Sequence, residues 1–171
     1  TLAGGCFWCI EGAFSQLKGI HSAISGYMGG HIENPTYDDI CTGNSGHAEV
    51  VELSFDAQEI TYQEIIEIFF TLHNPTQLNR QGHDIGTQYR SAIFYHNQSQ
   101  QHIAEKIIKD MSVAKIFEQA IVTQVCPAEL FYSGEAYHQD YFSNNPQNQY
   151  CQAVISPKLA KFRQTFINKL K

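Results

Sequence analysis

Up to Tyr95 the hydrophobic period of the chain changes in an order that few folds accommodate: strand, helix, strand, strand, helix, strand. Leu2-Ala3 reads as the end of a first strand running into Gly4-Gly5, and a helix from about Trp8 to Leu17 follows, stopped at Gly19. Ile20 to Met28 reads as the second strand and His47 to Phe55 as the third, with a long polar loop between them. Thr61-Tyr62-Gln63-Glu64 has capping-box spacing, and Ile65, Ile68, Phe69 and Leu72 then recur at helical intervals until Asn74-Pro75. Tyr89 to Tyr95 supplies the last of the six elements. This order is that of the split βαβ unit, so the expected class is α+β: a ferredoxin-like βαββαβ sandwich of sheet and helices, with added helices and a coil-rich C-terminal segment.

The added parts are a helix through Ile103, Ile107 and Met111, a short strand from Ile121 to Cys126 that stops at Pro127, and a final helix opened by Ser156-Pro157. Ser143 to Tyr150, rich in Asn, Gln and Pro, has no periodicity and is expected to be mobile. With 171 residues the chain suits one domain over residues 1–171, and a chain of that size buries roughly 70% of its unfolded surface. The formal charge of −6, and basic residues that gather only near the C-terminus, argue against nucleic acid and anionic membranes as partners. A monomer is expected, working in the cytoplasm. An exported or fused form stays open, because the chain opens at Thr1.

Five cysteines, at positions 6, 9, 41, 126 and 151, are an odd number for a disulfide scaffold, and their spacing does not suggest a metal site. Redox or nucleophilic chemistry fits better. The most reactive candidate lies in Gly4-Gly5-Cys6-Phe7-Trp8-Cys9. A thiol at a helix N-terminus faces unpaired amides and the positive dipole end, which should lower its pKa towards neutrality. A buried Cys-Phe-Trp plug is the plainer alternative. Strand alternation puts Glu49 on the same face as Val51, Leu53 and Phe55, where desolvation would raise its pKa towards that of a proton donor. Asp84, Gln88 and Tyr89 fall where loop becomes strand, and the aromatic segment Tyr132 to Phe142, with Glu135, His138 and Asp140, either covers a site or packs on the surface.

A thiolate with a proton donor suits attack on a centre whose oxygen must leave, and a sulfenic acid so formed condenses with a second thiol. Cys151 is a spare thiol for that step, which points to reductase chemistry. A disulfide oxidoreductase of thioredoxin type, built on Cys6 and Cys9, is the competing reading; a thiol hydrolase would want a His base that the sequence does not assign.

Together Gly-Gly-Cys6-Phe7-Trp8, Gly46-His47-Ala48-Glu49-Val50-Val51, Gly86-Thr87-Gln88-Tyr89-Arg90-Ser91 and Tyr150-Cys151 resemble the A-type peptide methionine sulfoxide reductases across nearly the whole chain. The resemblance implies reduction of the S epimer of methionine sulfoxide, free or in proteins, with thioredoxin as reductant and no metal or organic cofactor. It makes Cys6 the nucleophile, Glu49 the acid that protonates the sulfoxide oxygen, and Tyr37 and Tyr89 hydrogen-bond donors to that oxygen. Phe7 and Trp8 would cradle the S-methyl group, with Asp84 and Tyr150 beside the substrate. Many relatives carry Gly where this chain has Cys9, so two recycling thiols are open; Cys151 is favoured, with Cys9 expected to be constrained by its helix and to face away.

Overall fold

The computed structural model describes residues 1–171. Strands β1 (Leu2–Gly4), β2 (Ile20–Met28) and β3 (Ala48–Phe55) are joined by helix α1 (Phe7–Phe14) and by a loop that carries a short helix, α2 (Tyr37–Cys41). Helix α3 (Tyr62–Leu72), the hairpin of β4 (Arg80–Gln81) with β5 (Asp84–Ile85), and β6 (Ser91–Tyr95) follow. Helix α4 (Gln98–Val113), β7 (Gln124–Pro127), β8 (Tyr132–Ser133), α5 (Tyr141–Asn144) and α6 (Ser156–Thr165) complete the chain. The main sheet has the order β7-β6-β1-β3-β2-β8. Its pairings are antiparallel except for β6 with β7, which α4 joins as a crossover. The class is α+β.

Alternation along the central strands divides the core. Leu2, Tyr27, Val51 and Ile93 belong to a cluster of 24 buried residues with the apolar faces of α1, α3 and α6. Ala3, Met28, Ala48, Val50, Ala92 and Phe94 form a smaller cluster on the opposite face, covered by Cys126, Ala128 and Phe131. Glu49 shares the helix-side register of Val51 and pairs opposite Tyr27. Its carboxyl is thereby aimed at the start of α1.

Gly5 turns the chain from β1 into α1 with φ of 90°, and a Cβ there would lie 2.7 Å from Gln81. Glycine adopts that conformation without strain. Cys6 is left at the N-cap position of α1.

Several elements differ from the sequence expectation. The long loop holds α2, whose capping box pairs Thr36 with Asp39. Tyr89 lies in a 3-10 turn, Thr87–Tyr89, and the strand begins at Ser91. Helix α1 ends at Phe14 rather than Leu17, and β7 runs from Gln124 through Pro127, which keeps a place in the parallel ladder opposite Tyr95. The largest correction concerns residues 143–150. They are not aperiodic: α5 ends there, and Asn148 Oδ1 accepts the N–H groups of Tyr150 at 2.9 Å and Cys151 at 3.2 Å, capping a helical run that begins at Gln149. That run passes through a π-helical turn, Cys151–Ile155, before α6. The proline ring of Pro157 clashes with a normal α-helical carbonyl four residues earlier, and a π turn relieves such a clash.

Candidate active site

Cys6, Phe7 and Trp8 from the start of α1, Tyr37 from α2, Glu49 from β3, Asp84 from β5, Tyr89, Asn148 and Tyr150 line one cavity of about 280 Å³. All eight of the sequence-derived candidates other than the two further cysteines therefore meet in one place. Asn148 was not anticipated. Its signal was readable, since Asn before a helical run is a preferred N-cap.

Glu49 is buried, and its Oε2 accepts the Phe7 backbone N–H at 3.1 Å. Burial pushes its pKa up to about 8 against the pull of that N–H, with the Asp84 charge adding to the rise. The carboxyl is thus protonated at neutral pH and able to donate.

The Cys6 thiol departs from expectation. It is held well above the usual thiol range, by burial first, then by a hydrogen bond shared with Cys9 and by the Glu49 charge. The Trp8 backbone N–H opposes these, but the Phe7 amide of the same helix end is taken by Glu49. A helix N-terminus lowers a thiol pKa only where its amides are free and water reaches the sulfur; here neither condition is met in full.

Cys9 does not face away. It is buried, shares the hydrogen bond with Cys6, and is lowered by that bond, with Lys158 contributing. Cys151 is fully buried next to Tyr150, and burial raises its thiol, as does the Cys9 charge. Cys41 is exposed and Cys126 is half-buried on β7. All five cysteines are free thiols.

The tyrosines supply hydroxyl donors. Burial leads in raising Tyr37, Tyr89 and Tyr150, so each keeps its proton. Tyr150 donates to Asp84 Oδ2 at 2.6 Å, which ties the C-terminal helical run to the β4–β5 hairpin across the cavity. Trp8 stacks on Tyr141 with ring centres 3.7 Å apart and an interplanar angle of 6°, making the apolar wall rigid. Behind that wall the segment 134–140 is tied down: Glu135 accepts from the Tyr27 hydroxyl at 3.0 Å and the Tyr37 N–H at 3.0 Å, and Gln139 Oε1 accepts the Ser25 N–H at 3.0 Å. The aromatic segment lines none of the cavity itself; it backs the wall, His138 packing on Phe7 and Trp8 and Tyr141 stacking on Trp8. No three His, Cys, Asp or Glu side chains are gathered so as to hold a metal ion, and no helix is long and apolar enough to cross a membrane.

A nucleophilic sulfur, a protonated carboxylic acid, hydroxyl donors and an aromatic wall in one small cavity suit removal of an oxygen from a small, partly apolar group. Comparison with known proteins agrees with that chemistry. The family model described as "Peptide methionine sulfoxide reductase" matches residues 1–170. A peptide methionine sulfoxide reductase MsrA of Saccharolobus solfataricus is 52% identical over 171 residues, covering 100% of this chain and 96% of the relative. Mxr1 of Saccharomyces cerevisiae in its reduced form superposes with a TM-score of 0.80 at 33% identity, covering 88% of this chain and 86% of that one. Mxr1 in complex with Trx2 matches at a TM-score of 0.54 and 25% identity, covering 82% and 81%.

Proposed function

This chain belongs to the peptide methionine sulfoxide reductase family, and we propose that its cavity takes the side chain of methionine sulfoxide and passes the sulfoxide oxygen to Cys6. The protein reduces methionine sulfoxide to methionine, with a thioredoxin as the final reductant. One observation carries the site assignment: the Cys6 sulfur and a carboxyl group protonated at neutral pH, that of Glu49, line the same small cavity beside an aromatic wall.

Glu49 protonates the sulfoxide oxygen while the Cys6 sulfur attacks the substrate sulfur, and the Cys6 proton returns to Glu49. The attack makes a transient S–S bond between Cys6 and the substrate; as the protonated oxygen passes to the Cys6 sulfur, the substrate S–O bond and that S–S bond break, an S–O bond to Cys6 forms, and methionine leaves. Two electrons move from Cys6 to the substrate, so Cys6 becomes a sulfenic acid. Tyr37 and Tyr89 hydrogen-bond the oxygen in flight, Phe7 and Trp8 hold the S-methyl group, and Asp84 and Tyr150 close the polar side. A handed site of this kind accepts the S epimer. A second thiol then displaces water from the sulfenic acid, and thioredoxin reduces the disulfide. The chain acts as one domain over residues 1–171, as a monomer.

Cys151 is the first reading for the second thiol, supported by its place next to the cavity-lining Tyr150. A second reading has Cys9 in that role, favoured by its place one helical turn from Cys6, whose carbonyl accepts the Cys9 N–H at 3.2 Å. Single turnover without reductant should yield one methionine and consume two thiols, with only the S epimer used, and Cys6→Ser should yield none. Peptide mapping of the product separates the readings, as a Cys6–Cys151 or a Cys6–Cys9 disulfide. Methionine formation by Cys6→Ser would sink the mechanism.

A further inference from the structure

His138 takes no part in the chemistry above, yet it is fully buried behind the aromatic wall. Its ring centre lies 5.0 Å from that of Phe7, 5.7 Å from Trp8 and 4.5 Å from Tyr37. The Trp8 indole N–H donates to His138 Nδ1 at 3.1 Å. With Nδ1 an acceptor, the proton of the neutral ring is on Nε2, and Nε2 has no partner in the protein. The bond to Trp8 is therefore the ring's only side-chain hydrogen bond.

The stacking partner of Trp8 cannot do what this bond does. Tyr141 lies parallel to the indole and restrains its plane, and a half-turn about the bond to Cβ gives a second orientation in that plane that presents a different edge to the cavity. The directed hydrogen bond from the indole N–H to His138 is made in only one of the two. The segment that carries His138 is itself fixed from several sides: Glu135 holds Tyr27 and Tyr37, Gln139 holds Ser25, and the Asp140 N–H donates to the buried Glu11 at 3.1 Å. Burial lowers the His138 pKa, with Glu135 opposing, which keeps the ring neutral and Nδ1 free to accept.

Resting on the reading that Phe7 and Trp8 form the wall against the S-methyl group, we propose that His138 is a positioning residue. Its Nδ1 selects one of the two indole orientations of Trp8, and so sets the shape of the methyl pocket and the preference for methyl over larger sulfoxide substituents.

Trp8 is the sole tryptophan of the chain, so tryptophan emission reports on the surroundings of this one side chain and needs no turnover. His138→Phe keeps an aromatic ring and loses the acceptor, whereas His138→Asn keeps an acceptor close to the position of Nδ1. We expect His138→Phe to shift the Trp8 emission, to raise KM for methionine sulfoxide with a smaller effect on the single-turnover rate, and to erode discrimination against ethionine sulfoxide. That erosion should be about tenfold, the lower end of what one methylene decides in an apolar pocket. His138→Asn should restore emission and discrimination towards wild type, and in a Trp8→Phe background His138→Phe should add nothing to the loss. Wild-type emission and discrimination in His138→Phe would overturn the proposal. So would an Asn variant that, folded by its thermal midpoint, behaves like Phe. If emission responds as expected but no sulfoxide is reduced by the wild type, the functional reading fails and the Trp8–His138 contact stands.

Discussion

Glu49 is where two opposing demands on one side chain are visible. A carboxylate accepting a backbone N–H is stabilised as an anion, but removal from water disfavours the anion more, and the outcome is a group that titrates at about 8. Its usefulness as a donor therefore ends as pH rises through that value. The Cys6 thiol, held above the usual thiol range, contributes no compensating ionisation below it. The single-turnover rate of oxygen transfer should accordingly fall above pH 8 in the wild type. Glu49→Gln fills the same space without a transferable proton, and should be slower by about 10²–10⁴-fold, the usual contribution of a general acid, at pH values below 8. Above pH 8 the gap should close, because the wild type loses what the variant never had. Stopped-flow profiles from pH 6 to 9.5 decide the matter: a gap of constant size would mean that Glu49 shapes the cavity without giving up its proton.

Among the elements, β8 and the segment behind it depend on close contact with β2. Gly26 pairs with Ser133, and a Cβ at Gly26 would lie 2.4 Å from the Tyr132 carbonyl oxygen and 2.5 Å from the Phe131 ring. Backbone cannot yield as a flexible side chain does, so Gly26→Ala should cost about 1–3 kcal/mol, the range for overpacking, and should raise amide exchange through residues 132–139 more than in β1 or β3. Uniform loss across the sheet would contradict it. Nothing in residues 132–142 signals this dependence, because the partner strand lies more than a hundred positions earlier. The parts that were legible were local: the capping box at Thr61 and Glu64 is present as expected, and alternation along β3 placed Glu49 towards the helices. The parts that were not depend on tertiary contact. The helix-end argument at Cys6 failed because the Phe7 amide is taken by Glu49 from another strand, and because Cys9 turns inward against Cys6. Likewise the polar run before Cys151 looked structureless, whereas Asn148 caps it and Tyr150 anchors it to Asp84. Glu135 and His138 were visible as residues, but only the fold shows that they meet Tyr37 and Trp8.

At the scale of the whole molecule, buried carboxyls make stability a function of pH. Glu49 rises from an ordinary 4.5 to about 8, and Glu11, buried in α1 against the Asp140 N–H, rises to about 7, in both cases through burial first. Between the ordinary and the folded values the native state binds more protons than the unfolded chain, so stability is highest in acid and is lost as pH rises, by up to about 1.4 kcal/mol per pH unit for each group. His73 acts in the other direction: buried, bonded to the Phe69 carbonyl and to Ser91, it titrates at about 4 instead of 6.5, so it costs stability as pH falls below 6.5. That offsets part of the carboxyl effect below pH 6.5 and none of it above. The buried Thr1 amine, lowered from 8.0 to about 5, opposes the carboxyls between pH 5 and 8, so the Glu49 contribution is read from the difference between wild type and Glu49→Gln, and most cleanly from pH 7 to 8. Urea unfolding followed by the emission of Trp8 should show wild-type stability falling relative to Glu49→Gln across that window, and relative to Glu11→Gln mainly between pH 5 and 7. Parallel curves for all three proteins would mean that both carboxyls remain solvated enough to ionise freely. The proton donor assigned to the oxygen-transfer step would then be missing at neutral pH, so a stability measurement on the unliganded protein bears directly on its catalytic mechanism.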